Sequence, residues 1–413
     1  MKGKWLLALA LTIILNFGAS LALAQFPDIL TWRTVLATGD VVDGVIVGSM
    51  EGLTGDNDGN FYVADRGVND ADHTDTCNVW RINSNTANHV GQIIDDPCRP
   101  SGLTFGPNGD LFITTGEAPG IIYRLTPDAT NPTSPAATGS VYATGAPGAN
   151  GLAFLGGDLF VSDGTGNQGR VWKITGPGAD CASNFNCQEF LRIQPRTNST
   201  ALGGNVEPVD QPFGVGSERY TVPRHVINPV NNQDRQAITA NGIAFNVNGR
   251  IVYVADTSRG AIWAAKLDND GNLISETGCD PTFHPNTLCM DSLYVAHPLL
   301  EGIDGFVLDR KGNILASVNE RNAIVVVTTP QKQVFDLFQN APDPATLLRN
   351  GRSGDPLAPL EFPTSPFLSG RTFCTTGADS PRRDNNPETD GEGPKVSCVD
   401  QPFSVPGLPL PVK

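Results

Sequence analysis

Six copies of one strand–turn–strand unit predict an all-β chain folded as a six-bladed β-propeller. The copies begin at residues 51, 101, 150, 241, 304 and 364, spaced 50, 49, 91, 63 and 60 residues apart. Repeats of about 40–50 residues with a few strands each are the signature of propeller blades. Composition agrees: Gly (45) and Pro (32) are plentiful and only 17% of residues are charged, as in loop-rich β-proteins.

The fourth copy is the clearest. Asn241-Gly242-Ile243-Ala244-Phe245 leads through Asn248-Gly249 to Ile251-Val252-Tyr253-Val254. Ile243 and Phe245 alternate with small neighbours, the period of a half-buried strand. Asn248-Gly249 predicts a type I′ turn, whose two central residues both need positive φ. Residues 251–254 are β-branched and aromatic, as a core strand prefers.

The other copies follow suit. Glu51-Gly52-Leu53 leads through Asp58-Gly59-Asn60 to Phe61-Tyr62-Val63, and Ser101-Gly102-Leu103 through Asn108-Gly109 to Leu111-Phe112-Ile113. Asn150-Gly151-Leu152 leads through Gly156-Gly157 to Leu159-Phe160-Val161, and Asp304-Gly305-Phe306 through Lys311-Gly312-Asn313 to Ile314-Leu315-Ala316. The sixth copy, from Thr364 through Leu368-Ser369-Gly370 to Thr372-Phe373-Cys374, is the weakest.

Between the copies, residues 78–82 read as an outer strand, and 121–125, 169–174, 261–267 and 323–328 as third strands of their blades. Residues 33–37 supply a strand that closes the ring. The blade-three strand ends at Gly176-Pro177, because proline cannot continue a ladder. Residues 177–238 then form a long insertion holding Cys181, Cys187, Arg224 and His225. It is either a binding loop or an ornament pinned by a disulfide. The propeller accounts for residues 25–379. Residues 380–413 are polar and Pro-rich: 380–396 read as irregular and 402–411 as an extended tail.

At the N-terminus Lys2 and Lys4 precede the apolar run 5–15, and Ala22-Leu23-Ala24 offers small residues for cleavage. Residues 1–24 read as a signal peptide, so the mature protein is expected to be secreted or periplasmic, with no membrane span. Loss of the two lysines takes the formal charge from −15 to −17. Such acidity argues against nucleic acid and anionic membranes as partners and favours cations. The eight cysteines agree with export, since an even count in an oxidising compartment favours disulfides. Their grouping points to local pairs: 77–98, 181–187, 279–289 and 374–398. The Cys-x-x-Cys spacing of a zinc site is absent.

In a propeller the segments entering the innermost strands converge on the central channel. Here those segments open on Glu51, Ser101, Asn150, Asn241, Asp304 and Thr364. Any one is an ordinary turn residue, but four are carboxylates or amides in the same register of separate repeats. Ca2+ takes about 6–8 oxygen ligands of this kind. Glu51, Asn150, Asn241 and Asp304 are therefore the candidate ligands of one Ca2+. Arg99, Ser101 and His225 are weaker candidates for substrate contact. The other histidines lie outside the repeated register.

At these residues the chain resembles the senescence-marker-protein/gluconolactonase/luciferin-regenerating family of six-bladed propellers, over roughly residues 45–377. Residues 241–245, 253–257 and 262–263, together with Asp304-Gly305 and Asp309-Arg310-Lys311-Gly312-Asn313, look most like it. The resemblance implies metal ligands: a Glu in blade one, Asn in blades three and four, and Asp in blade five. Glu51, Asn150, Asn241 and Asp304 fall there. Diisopropylfluorophosphatase and the paraoxonases are similar in this ring, so the ring does not choose the substrate. The chain departs from gluconolactonases in carrying Gly148, not Arg, two residues before the blade-three Asn. It departs from paraoxonases in reading Arg99-Pro100-Ser101 where they use a histidine, and blade six offers Thr364.

The expected function is that of a monomeric, Ca2+-dependent hydrolase of the lactonase or esterase type, acting on a small-molecule ester or lactone. Asp304 is the candidate nucleophile or general base, kept ionised by the metal. The alternative is a non-catalytic extracytoplasmic propeller that binds a ligand or a protein.

Overall fold

The structure, a computed structural model, describes residues 30–67, 76–83, 86–94, 98–116, 119–128, 137–164, 168–194, 238–274, 283–380 and 393–400, with 385, 391 and 407. The expected signal peptide, Arg224 and His225 lie outside them. Six four-stranded antiparallel meanders, three of them extended by a short parallel strand, are arranged as a six-bladed β-propeller.

Each blade runs outward from the axis. Blade one is Met50–Gly55, Phe61–Asp65, Cys77–Asn83 and Thr86–Ile93; blade two is Pro100–Phe105, Leu111–Thr115, Ile122–Leu125 and Ser140–Thr144. Blade three is Ala149–Leu155, Asp158–Asp163, Arg170–Ile174 and Cys187–Ile193; blade four is Ile243–Phe245, Ile251–Asp256, Ala261–Lys266 and Leu293–Ala296. Blade five is Ile303–Leu308, Ile314–Val318, Ala323–Val327 and Val334–Gln339. Blade six joins Pro363–Ser369, Thr372–Gly377 and Lys395–Asp400 to Arg33–Ala37, so the N-terminal strand completes the last blade as expected. The inner strands pack in sequence around the axis, and the sixth returns to the first.

The hairpin turns differ in detail from the expected type I′. In blade four Gly249 N–H donates to the Asn246 carbonyl at 2.9 Å, and of the two residues only Gly249 has positive φ, at 65°. This is the longer turn in which a left-handed residue follows, a glycine role. The equivalent glycines 59, 109, 156, 312 and 370 also have positive φ. A side chain braces several of these turns: Asp309 Oδ1 accepts from the N–H groups of Lys311 and Asn313 at 2.8 and 2.9 Å.

Two boundaries differ from the sequence reading. The expected insertion 177–238 is shorter, because Cys187–Ile193 is the fourth strand of blade three, paired with Arg170–Ile174. Its exposed Gln188 and half-buried Glu189 and Arg192 interrupt the apolar pattern, although Phe190, Leu191 and Ile193 enter the core. The C-terminal region is not all tail, because Lys395–Asp400 pairs with both Thr372–Gly377 and Arg33–Ala37. Without that strand Arg33–Ala37 would have no partner in blade six.

Packing between blades supplies the core. One apolar cluster joins Phe160, Val171 and Leu191 of blade three to Ile243, Phe245 and Trp263 of blade four. Similar clusters join blades one and two, two and three, four and five, and six and one. An edge-to-face aromatic pair recurs in the same register, second strand to next inner strand: Tyr62–Phe105, Phe112–Phe154 and Phe160–Phe245. Such pairs add about 0.5–1.5 kcal/mol each beyond burial. Inside three blades a buried Asp at the end of the second strand accepts from a Trp indole on the third: Asp65 from Trp80 at 2.8 Å, Asp163 from Trp172 at 3.3 Å and Asp256 from Trp263 at 3.1 Å.

Three of the expected disulfides are present: Cys77–Cys98, Cys181–Cys187 and Cys374–Cys398. The fourth pair involves Cys279, outside the described residues. Cys374 and Cys398 are directly paired residues of adjacent strands in blade six. Cys374→Ser with Cys398→Ser is expected to lower unfolding free energy by about 2–4 kcal/mol. A denaturant midpoint unchanged from wild type would show that the bridge adds nothing to the paired strands.

Candidate functional site

The start of every inner strand is built alike: a polar residue, a small residue, then an apolar one. The small residue is glycine in blades one to five and Ser365 in blade six. At this point the ladder slips in five blades, between Met50 and Leu53, Pro100 and Leu103, Ala149 and Leu152, Ile303 and Phe306, and Pro363 and Pro366. A bulge of this kind re-aims the side chain beside it. The glycine also lets neighbouring blades touch: a Cβ on Gly102 would lie 2.1 Å from the Asn150 carbonyl oxygen, and one on Gly242 2.7 Å from that of Asp304.

The carbonyls of the polar ring are pinned from the preceding blade. Thr114 Oγ1 donates to the Asn150 carbonyl at 2.6 Å, and Ser162 Oγ donates to that of Asn241. The Asp304 carbonyl accepts from Gly242 N–H at 3.0 Å, and that of Glu51 accepts from the hydroxyls of Thr364 (2.8 Å) and Thr376. The sequence reading missed this hydroxyl set, although a signal existed. The penultimate residue of the second strand is Ala64, Thr114, Ser162, Ala255, Ser317 and Thr376 in the six blades, always small or hydroxylated.

Asn150, Asn241 and Asp304 line one cavity of about 60 Å³, walled by Leu53, Leu103, Leu152, Ile243 and Phe306. Asp304 is 5% exposed. Its Oδ2 accepts from the Asn319 side-chain amide at 2.8 Å, and the Asn241 side chain also donates to it. Asn241 is 1% exposed and donates to Thr257 Oγ1 at 3.1 Å. Asn319 follows the second strand of blade five and was missed because it lies outside the repeated opening register. Burial pushes the Asp304 carboxyl up to about 7, against the lowering effect of its amide partners and the Arg66 guanidinium.

That displacement has a sign. The unfolded Asp304 titrates near 3.8 and the folded one near 7, so between these values the native state holds the extra proton. Its contribution to stability is complete below the lower value and is lost as pH rises through the upper one. In the absence of divalent cations, the wild type is expected to lose on the order of 4 kcal/mol of stability from this group between pH 4 and pH 8. Asp304→Asn should flatten the profile, leaving the smaller loss from Asp379, whose burial raises it to about 6. Equal slopes in calorimetric melts of the two proteins would contradict this placement.

The other expected residues are placed differently. Glu51 does not line the cavity, and its carboxylate forms an ion pair with Arg66, which follows the second strand of blade one. Arg66 Nε also donates to the Pro100 carbonyl at 3.3 Å. Neither Arg99 nor Ser101 lines the cavity, and Ser101 is buried. Among the described residues, no cluster of three or more His, Cys, Asp and Glu could hold a metal. A cation in this cavity would meet one carboxylate, Asp304, and the amide oxygens of Asn150 and Asn241, hard oxygen donors that suit Ca2+ rather than softer metals. The buried Asp304 carboxyl, raised by desolvation, is the kind of group a cation stabilises in its charged form.

Below this level the axis is apolar. A second cavity, of about 120 Å³, is lined by the inner strands, including Phe154, Phe245 and Leu308, with Gly407 beside them.

Residues 218–346 match the family model described as "SMP-30/Gluconolactonase/LRE-like region". The described part of that segment contains blades four and five, with Asn241 and Asp304. The resemblance read from the sequence is shown over these residues, which make up under half of the chain. No curated protein sequence matches the chain. Among solved structures, a luciferin-regenerating enzyme is 13% identical, covers 91% of this chain and 98% of its own, and superposes with a TM-score of 0.51. The PQQ-bound aldose sugar dehydrogenase of Streptomyces coelicolor is 10% identical, with coverage of 90% and 98% and a TM-score of 0.50. A calcium-binding protein, regucalcin, of Agrobacterium tumefaciens is 14% identical, with coverage of 91% and 97% and a TM-score of 0.47. At these identities the likeness concerns the fold alone.

Proposed function

We propose that this propeller, family-matched over blades four and five, is an exported Ca2+-dependent hydrolase of the lactonase or esterase type. The observation that carries the reading is the convergence of Asn150, Asn241 and the buried Asp304 on one axial cavity, in the register that opens each blade. Glu51, Asn150, Asn241 and Asp304 would hold the ion. Bound there, Ca2+ supplies polarisation of the carbonyl or phosphoryl oxygen of a small ester or lactone and offsets its developing charge. Asp304 is the nucleophile or general base. Asn241 and Asn319 orient its carboxylate through their amide groups, and Asn150 supplies a neutral oxygen. The apolar walls exclude water from the reacting group.

Calorimetric Ca2+ titration beside a panel of lactones, aryl esters and organophosphates tests the reading. Glu51→Gln is expected to weaken Ca2+ binding by roughly tenfold or more and to reduce the gain in melting temperature that the ion confers. A protein that takes up no Ca2+ at millimolar concentration would reject the metal site.

One observation favours the non-catalytic alternative. Arg66 already compensates the charge of Glu51, so half of the anionic pair is satisfied within the protein. Ligand capture without turnover on any member of the panel would select that reading.

A further inference from the structure

The Arg66–Glu51 ion pair lies outside the lining of the axial cavity, but Glu51 stands in the same inner-strand register as Asn150, Asn241 and Asp304, and the pair bears on what the site accepts. Their side chains are only 12% and 14% exposed. The guanidinium is anchored on blade two through the Pro100 carbonyl, and its charge is felt at Asp304. Arg66 therefore spans blades one and two, pairs with Glu51, and acts on Asp304 through its charge.

From this arrangement we infer that Arg66 is an internal competitor for the metal, and that it gives the loaded site a net positive charge suited to an anionic substrate. The inference rests on the metal reading above. Glu51 and Asp304 carry two negative charges and Arg66 one positive charge. Without a metal the set is singly negative when Asp304 is ionised. A divalent ion on the same carboxylates makes it singly positive. If Arg66 were absent, the loaded set would be neutral. Glu51 cannot give its full charge to both cations, so ion uptake must loosen its pairing with Arg66, which opposes binding. The loosened guanidinium, still held through Nε by the Pro100 carbonyl, turns from Glu51 the terminal N–H groups of a planar fork, a geometry that matches a carboxylate or phosphoryl group. The substrate class this selects is an ester or lactone that carries a carboxylate, or a phosphoester.

The test is calorimetric titration of the full mature chain with Ca2+ alone, then with acetate at saturating Ca2+ as a carboxylate probe. Arg66→Gln and Arg66→Met both remove the charge, and the second keeps an apolar stem, so a folding failure of one leaves the other. Both are expected to bind Ca2+ about tenfold more tightly than wild type, the scale of a partly buried ion pair with its like-charge term. Both should lose the acetate response. Arg66→Lys, which keeps the charge, should stay within a few-fold of wild type for Ca2+. Unchanged Ca2+ affinity in the Gln and Met variants, with wild type binding the ion, would overturn this inference and leave the metal reading standing. Tighter Ca2+ with an undiminished acetate response would overturn the anionic-substrate half. Absence of Ca2+ binding in every protein would overturn the metal reading, and this inference with it.

Discussion

Asp304→Asn is expected to keep appreciable Ca2+ affinity while turnover falls by about 10³-fold or more, the scale for removing a nucleophile or base that acts with its neighbours as a unit. The substitution keeps an oxygen of similar shape, so the cavity walls and the Asn319 contact have little reason to move. Its amide can neither accept a proton nor attack a carbonyl. Loss of one negative charge weakens the ion's hold, so Ca2+ should be raised to saturation before turnover is measured. Near wild-type turnover at saturating Ca2+ would remove Asp304 from the chemistry. A lost response to Ca2+ with intact folding would make it a ligand first and leave its catalytic role to another group.

The second large effect is structural. Gly102→Ala is expected to cost about 3 kcal/mol or more, and to slow turnover by misplacing Asn150. The added Cβ would lie 2.1 Å from the Asn150 carbonyl oxygen and 3.0 Å from its carbon. Both are backbone atoms of the next blade, held by Thr114, so the strain cannot be relieved by turning a side chain. Overpacking of this kind costs roughly 1–3 kcal/mol even where side chains can adjust. Gly109→Ala is the control for a glycine in a hairpin turn: nothing lies within 4 Å of its Cβ, and its cost comes from the positive φ alone. Urea unfolding of the two variants separates blade-to-blade contact from backbone conformation. A cost for Gly102→Ala no larger than that for Gly109→Ala would show that the blades can separate freely at this point.

The innermost hairpins were legible in the sequence because three signals coincide there: apolar alternation, a glycine-bearing turn and a β-branched second strand. All six inner strands begin within about two residues of the expected opening, since the apolar alternation and turn fix the register. The outer strands were less legible. Cys187–Ile193 was read as part of an insertion because its exposed Gln188 and half-buried Glu189 and Arg192 break the apolar pattern. Lys395–Asp400 was missed because its apolar residues, Val396, Cys398 and Val399, follow a polar, Pro-rich stretch. At the site, Asn150, Asn241 and Asp304 were found from register alone. Arg66 and Asn319 were not, because each stands one residue past the second strand, where the residue type changes from blade to blade. The Arg66–Glu51 pair lies within blade one, but it joins the inner strand to the residue just past the second strand, fifteen positions on, and the alternation that reveals strands says nothing of which side chains meet there.

That closure has a consequence for how the molecule is made. Among the described residues the strand Arg33–Ala37 finds its partners only in Lys395–Cys398, so the first described strand waits for the last. The entropic cost of joining such distant segments grows only with the logarithm of their separation, but the search is slow. During that interval the edge of blade six is open, and an open edge is a template for pairing with a second chain. A nascent or C-terminally clipped protein lacking residues 395–413 would hold five finished blades, one two-stranded remnant and an unpaired Cys374. Such a species is expected to aggregate, and the final twenty or so residues thus decide whether the ring is a product or a hazard.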